Sequence, residues 1–185
     1  MKNLFLLTVS IIAFSVISNS QITKKNWLLS GSASFSTQKN ASTASLQFKQ
    51  TDIQISPTIG HFILDKFAVG LRPSIAYGKN NLIANAKATT FILIGPFARY
   101  YFLQPEKIFN LFLESAYSYG IISNQGSDSK QNTFSIAGGP VLYFNNSVGI
   151  EFAIGYTKTK IIDFEGSNNA VRFGIGLQFH LEKEK

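Results

Sequence analysis

Five charged side chains fall on the less apolar face of segments in which bulky apolar residues alternate with small or polar ones. They are Arg72, Arg99, Glu114, Glu151 and Arg172. Arg99 joins this face only if its neighbours Tyr100 and Phe102 lie on the opposite one. An ion held away from water is costly unless it is paired. The three arginines and two glutamates are therefore expected to form a network of ion pairs if this face is enclosed.

The two histidines are the other groups that could do chemistry. His61 lies near a tight turn and falls on the same face of its segment as Ile55 and Ile59. His180 falls on the same face of its segment as Gln178. A lipid-modifying enzyme would need one of these imidazoles beside a serine and a carboxylate, and such sites can lie at a membrane surface. We interpret His61 as an interfacial residue and His180 as a hydrogen-bonded interior residue.

Signals for metals, cofactors and nucleic acid are absent from the sequence. It contains no cysteine, no Cys-His or His-His pair has metal-ligand spacing, and no glycine-rich phosphate loop opens a helix. The formal net charge of +7 comes from scattered lysines rather than from a basic run with interleaved aromatic residues. We expect no metal, no cofactor and no nucleic acid partner.

Residues 171 to 181 show most clearly the element that must position these groups. One parity consists of Val171, Phe173, Ile175, Leu177, Phe179 and Leu181, and the other of Arg172, Gly174, Gly176, Gln178 and His180. Side chains of a strand alternate between its two faces. A soluble sandwich would carry bulky polar residues on its outer face, but here the second face is largely Gly, Ala and Ser. This pattern favours a crowded barrel lumen with lipid outside, whereas a soluble lipid-binding barrel would need the inverse arrangement.

Eight such segments predict an all-β fold, an eight-stranded antiparallel up-and-down transmembrane β-barrel. The predicted strands are 26 to 37, 46 to 62, 67 to 78, 89 to 102, 108 to 121, 133 to 144, 148 to 158 and 170 to 181. Each reaches the ~9 to 11 residues that cross a bilayer at barrel tilt. The short connections are 64 to 66, 104 to 107 and 145 to 147, and the long polar ones are 38 to 45, 79 to 88, 122 to 132 and 159 to 169. Outer-membrane barrels combine short periplasmic turns with long outer loops in this way.

The long connections are expected to be four extracellular loops. Residues 122 to 132 are rich in Ser, Asn and Gln, which predicts a solvated, mobile loop that could contact a partner. The identity of such a partner does not follow from this composition.

Aromatic residues fall near both ends of the predicted strands, as the two interfaces of a membrane barrel require. Trp27, Phe67, Phe109, Phe144 and Phe179 lie at the periplasmic ends, and Phe35, Tyr77, Tyr119, Phe134 and Tyr156 toward the outer ends.

Four prolines fall inside the predicted strands, where each removes a donor from the ladder. They are Pro57, Pro73, Pro96 and Pro140. Bulges at Gly95-Pro96 and Gly139-Pro140 are expected to relieve the lost pairing.

The first 20 residues are typical of a secretory signal peptide. Lys2 precedes an apolar stretch from residue 4 to 17, and Ser18-Asn19-Ser20 forms a small-residue cleavage site. Roughly 14 apolar residues are too few for a spanning helix, which needs ~20. We expect residues 1 to 20 to be removed and residues 21 to 185 to form one outer-membrane barrel domain, held without disulfides.

Two stretches resemble segments of a known family. They are Ile55-Ser-Pro-Thr-Ile-Gly-His-Phe-Ile-Leu-Asp-Lys-Phe-Ala-Val-Gly70 and Gly95-Pro-Phe-Ala-Arg-Tyr-Tyr-Phe102. Both are similar to the small outer-membrane β-barrel family that includes the OmpA membrane domain and OmpX. The resemblance implies an eight-stranded barrel in a Gram-negative outer membrane, and it says more about fold than about activity. The chain departs from the family at His61, where an aromatic is usual, and in its charged end Glu182-Lys-Glu-Lys185.

Within such a barrel the five charged residues would lie in the lumen, and three functions can be weighed for them. About eight strands leave an interior that side chains fill, which favours a polar plug over a gated ion path. General acid–base chemistry by Glu114 and Glu151 is disfavoured because cations surround them. The chain is therefore predicted to be a non-enzymatic envelope-integrity or surface-interaction protein, with a narrow channel and a lipid-modifying enzyme as alternatives.

Lysines at the outer rim suggest a lipid partner. Lys49, Lys79 and Lys158 fall on the outward parity near the extracellular ends, with Lys160 just beyond. Lysine stems can lie along apolar chains while their ammonium groups reach lipid phosphates. We expect these four lysines to contact lipopolysaccharide, and we expect the barrel to be a monomer.

Overall fold

A closed antiparallel barrel of eight strands confirms the predicted fold class. The computed structural model describes residues 22–40, 48–80, 88–124, 127–145, 147–162 and 165–181. The strands are β1 Trp27–Asn40, β2 Phe48–Leu64, β3 Phe67–Asn80, β4 Thr89–Tyr101, β5 Phe109–Asn124, β6 Ser127–Tyr143, β7 Val148–Ile161 and β8 Asn168–Leu181. Each strand pairs with the next in sequence, and β8 pairs with β1. The predicted signal peptide and the charged end lie outside the described residues.

The two ends of the barrel differ. The connections from β2 to β3, β4 to β5 and β6 to β7 lie at one end, the turn end, together with residues 22 to 26 and the end of β8. The other connections define the loop end. In the part of the chain that the structure describes, no helix is long and apolar enough to cross a membrane.

Strands β5 and β6 continue through most of the predicted loop at 122 to 132, so that prediction is wrong. They pair without interruption as far as Asn124 opposite Ser127. Polar side chains do not prevent pairing where both strand faces meet water, because the ladder is made by the backbone alone. A long hairpin therefore projects from the loop end.

The proline bulges predicted at Gly95-Pro96 and Gly139-Pro140 are also wrong. The register between β4 and β5 is the same on both sides of Gly95-Pro96, and that between β6 and β7 is the same around Gly139-Pro140. Ladder pairs are missing beside these prolines, yet no residue is inserted. Pro57 and Pro73 likewise fall in a single gap of the β2–β3 ladder, so one interruption accommodates two missing donors.

Large apolar side chains cover the outside of the barrel. Phe173, Ile175 and Leu177 point outward with exposed fractions of 80%, 62% and 48%. Of the ten aromatic residues predicted to mark the two interfaces, nine are exposed and Phe67 is half-buried. The outer surface is thus apolar between two aromatic rims, as the alternation predicts.

Inside the turn end, the lumen is packed by large residues rather than by the expected Gly, Ala and Ser. The buried cluster consists of Ile22, Leu28, Phe62, Ala68, Phe97, Tyr101, Phe112, Ala116, Val141 and Tyr143. Aromatic residues occupy both parities of β4, with Tyr101 inside and Tyr100 outside, so the pattern alone does not separate the faces. Residues 22 to 26 close this end, because Lys66 N donates to Ile22 O at 2.8 Å and Ile22 is fully buried.

Two glycines let the ring of Phe97 approach the lumen wall. A Cβ atom on Gly70 would lie 2.5 Å from Gly60 Cα and 2.7 Å from the Phe97 ring, and one on Gly60 would also lie 2.7 Å from that ring. Such distances are too short for carbon atoms in contact. Both glycines belong to the segment Ile55 to Gly70 on which the family resemblance depends.

We predict that Gly70→Ala lowers the free energy of unfolding by about 1 to 3 kcal/mol, because the added methyl overpacks the wall beside Phe97. The matched control is Gly174→Ala, because no atom lies within 4 Å of a Cβ at that position. Urea unfolding in detergent micelles, followed by the fluorescence of the single tryptophan, measures both variants. Equal stability of the two variants would contradict this account of Gly70.

Candidate functional site: a charged layer across the lumen

Glu114 on β5 joins two arginines in the middle of the lumen. Its Oε1 lies 2.6 Å from Arg72 NH2, and its Oε2 lies 2.8 Å from Arg99 NH2 and accepts a second bond from Arg99 Nε at 2.8 Å. Glu114 is 3% exposed. Each oxygen of this buried carboxylate thus faces one guanidinium, which offsets the loss of hydration.

Arg99 on β4 is the other junction of the layer. In addition to Glu114, its NH1 contacts Glu151 Oε2 at 2.6 Å and Tyr101 OH at 3.4 Å. The guanidinium also lies 4.3 Å from the ring centroid of Phe112. Arg99 is 2% exposed, so its charge is stabilised by two carboxylates and an aromatic face rather than by water.

Neutral side chains extend the layer. Arg72 Nε donates to Thr58 Oγ1 at 2.9 Å. Tyr101 OH donates to Gln178 Oε1 at 2.6 Å, and His180 Nε2 lies 3.3 Å from the same oxygen. Sequence reasoning missed the roles of Thr58 and Tyr101, although Tyr101 shares the parity of Arg99.

Three of the contacts join strands that are not neighbours. Arg72 to Glu114 links β3 with β5, Arg99 to Glu151 links β4 with β7, and Tyr101 to Gln178 links β4 with β8. These three bonds span the lumen, whereas Arg99 to Glu114 and Arg72 to Thr58 join adjacent strands along the wall. They can fix the cross-section of the barrel and fill its interior with protein atoms.

Arg172 is the one residue of the predicted network that the observed contacts do not include. It has the lumen parity of Gly174 and Gly176, but its side chain is exposed and has no ion pair among the described residues. A Cβ on Gly176 would lie 2.9 Å from Glu151 Oε1. Arg172 lies four residues further along β8, about 13 Å at ~3.3 Å per residue, and so cannot reach that carboxylate. The positive charges of two arginines and the negative charges of two glutamates thus cancel within the layer.

The histidines lie apart from this layer or at its edge. His61 stacks on Trp27 with ring centroids 5.1 Å apart, and its Nδ1 lies 3.0 Å from Asn26 O at the turn end. His180 is 3% exposed and packs edge-on against Phe62 and Tyr143. Within the described ranges, no group of three His, Cys, Asp or Glu side chains is placed to hold a metal ion.

The four rim lysines lie on strands at the loop end. Lys79, Lys158 and Lys160 are exposed and share the outward parity of Tyr77 and Tyr156. Lys49 lies opposite Lys39 in the β1–β2 register, and its side chain lies outside the described part of the structure.

We predict that Arg99→Met lowers the free energy of unfolding by about 3 to 5 kcal/mol, because it leaves the Glu151 carboxylate without its guanidinium partner. The matched control is Arg172→Met, which removes the same charge from an exposed side chain and should change stability by less than ~0.5 kcal/mol. Urea unfolding in micelles measures both. The structural role of the layer would be contradicted if the two variants unfolded at the same urea concentration.

Comparisons with known proteins bear on the fold. No protein-family model and no curated protein matches the chain. The crystal structure of Neisserial surface protein A has a TM-score of 0.53 and 16% identity, and the match covers 83% of this chain and 96% of that one. The N-terminal β-barrel domain of Pseudomonas aeruginosa OprF has a TM-score of 0.49 and 15% identity, over 85% of this chain and 98% of that one. The resemblance to the small outer-membrane β-barrels is therefore confirmed for the fold, which the chain shares with the neisserial surface protein.

Proposed function

We propose that this chain is a monomeric integral outer-membrane protein with a non-enzymatic role in envelope integrity or surface interaction. The observation that carries the proposal is the inverted distribution of side chains. Charged groups are paired inside the barrel, and large apolar groups are exposed on the outside of all eight strands. Soluble monomers rarely expose a continuous apolar surface of this kind.

A closed barrel suits a membrane for a second reason. The hydrocarbon core offers no partner to backbone N–H and C=O groups, and the ladders between successive strands of this barrel pair most of them internally. The fold shared with the neisserial surface protein supports the same location. Export would use residues 1 to 20 as a cleaved signal peptide.

The charged layer favours a structural role over conduction. Arg99 and Glu114 are almost fully buried in the centre of the lumen, and aromatic residues fill the turn end beside them. An ion would have to displace side chains that are held by charged hydrogen bonds. A lipid-modifying activity has less support, because the His61 imidazole is engaged with Trp27 and the backbone of Asn26.

Surface interaction would take place at the loop end. The β5–β6 hairpin continues four residue pairs beyond Gly120 opposite Gln131, ending with Asn124 opposite Ser127. Its exposed polar side chains, including Asp128 and Lys130, extend past the outer aromatic residues Tyr119 and Phe134. This hairpin is the part of the described chain best placed to meet a partner outside the cell.

We expect the detergent-extracted protein to migrate differently on a gel before and after boiling in SDS. A barrel held by strand ladders and by ion pairs across its lumen resists SDS until it is heated. The protein should sediment with the outer membrane, and planar bilayers containing it should lack discrete conductance steps. Heat-insensitive migration of a soluble protein would reject the membrane assignment. Discrete conductance of the folded protein would favour the narrow channel instead.

The rim lysines extend the proposal to a lipid partner, lipopolysaccharide. Replacing Lys49, Lys79, Lys158 and Lys160 together by Gln should reduce the lipopolysaccharide that co-purifies, because each cation near an anionic surface contributes ~1 kcal/mol. The matched control replaces Lys24, Lys25, Lys66 and Lys107, which carry the same total charge at the turn end. Equal retention by both variants would reject a specific role of the outer rim.

A further inference from the structure

The seam between the first and last strands is paired over only part of its length. β1 and β8 form ladder pairs from Trp27 opposite Leu181 to Gly31 opposite Leu177. Beyond this point, residues 32–40 and 168–176 are strand residues that pair with β2 and β7, respectively, but not with each other. The seam is thus open over nine of the fourteen residues of each strand, toward the loop end.

Side-chain exposure supports this description of the seam. If the β1–β8 register continued, Phe35 would lie opposite Phe173 and Ala33 opposite Ile175. Phe173 and Phe35 are instead 80% and 68% exposed, and no atom lies within 4 Å of a Cβ built on Gly174. Ser32 is also exposed, although it falls on the lumen-facing side of β1. A niche therefore opens sideways at the seam.

The niche has a closed floor and a charged upper edge. A Cβ on Gly176 would touch the Glu151 side chain, so the charged layer forms the floor. Arg172 lies at the upper edge, exposed and without an ion pair in the described ranges. Its neighbour Val171 lies opposite Tyr156, one of the outer aromatic residues. The Arg172 guanidinium is thus at the depth of lipid headgroups.

An open seam inside hydrocarbon needs an occupant. Backbone N–H and C=O groups without a partner cost several kcal/mol each in lipid, so water or a polar headgroup must meet those of β1 and β8. The apolar side chains of the same seam, Phe35, Phe173 and Ile175, instead favour an acyl chain. The charged layer is balanced, and the Arg172 guanidinium has no ion pair among the described residues.

We propose that the open seam binds one anionic lipid of the surrounding membrane. Its acyl chain lies between Phe35 and Phe173, and its phosphate accepts hydrogen bonds from Arg172 and from unpaired backbone N–H groups of β1 and β8. The inference rests on the proposed membrane location. An anionic headgroup matches the guanidinium, which can hold phosphate through two parallel hydrogen bonds.

Disulfide trapping tests the occupant, since the chain has no cysteine of its own. The double variant Ala33→Cys with Ile175→Cys cross-links only when the seam closes, and a bound lipid should keep it open. The control variant, Leu29→Cys with Phe179→Cys, lies in the paired part of the seam. Both are folded into phosphatidylcholine vesicles, with or without phosphatidylglycerol, and treated with a mild oxidant. Non-reducing gels give the rate of disulfide formation.

Phosphatidylglycerol should slow cross-linking of the 33/175 pair about fivefold, the ratio that ~1 kcal/mol per cation implies, and should leave the 29/179 pair unchanged. Adding Arg172→Gln should remove the lipid effect. Adding Lys107→Gln, which removes the same charge from an exposed side chain at the turn end, should retain it. Equal rates in both vesicles, or an Arg172→Gln variant that still responds, would overturn the proposal.

Other occupants give different results. Disulfides between two molecules would show that a second copy covers the seam and would overturn the lipid assignment. Heat-insensitive migration in both vesicles, seen before oxidation, would reject the membrane location and the seam proposal together. Native mass spectrometry is a readout without cysteines: Arg172→Gln should retain one phosphatidylglycerol fewer than Lys107→Gln, and equal retention would contradict the site.

Discussion

Two arginines and two glutamates in the centre of the lumen are the interaction on which the rest of the barrel depends. Each charge would be costly away from water, so none of the four is tolerated there without the others. Two of their three ion pairs connect β3 with β5 and β4 with β7, strands that share no ladder, and the third joins the ladder partners Arg99 and Glu114. The layer therefore couples opposite walls, which backbone pairing cannot do because each ladder joins only adjacent strands.

The layer also divides the lumen into two different halves. Toward the turn end, Phe62, Tyr101 and Phe112 pack beneath the guanidinium of Arg99, and Ile22 closes the opening. Toward the loop end, the wall of β8 carries Gly174 and Arg172, and the β1–β8 seam is unpaired. Bulky residues seal one half, whereas small residues leave space in the other. The half that is packed is also the half in which β1 pairs with β8.

In the proposed membrane location, this asymmetry would close the barrel toward the periplasm and leave it open toward the cell surface. The turn end holds short connections and a sealed core, so it offers no path through the barrel. The loop end presents the β5–β6 hairpin, the exposed rim lysines and the seam niche. Structural and binding roles can therefore coexist in one small barrel, because they use different halves of it.

The sequence by itself determined the strand number, the antiparallel order and which face points outward, because alternation has a period of two and depends only on local neighbours. It also placed Arg72, Glu114 and Glu151 on the lumen face. Parity was insufficient on β4, where aromatic residues occur on both faces, and so the filling of the turn end by Phe97 and Tyr101 was missed.

Only the tertiary structure decided which charges meet and where the barrel remains unpaired. Arg99 and Arg172 share one parity class, yet Arg99 reaches both glutamates and Arg172 reaches neither. The difference is their height along the barrel axis, which follows from strand tilt and register across several ladders. The open seam has the same origin, because the pairing of the first strand with the last is a contact between the two most distant parts of the barrel sequence, and no local pattern encodes its length.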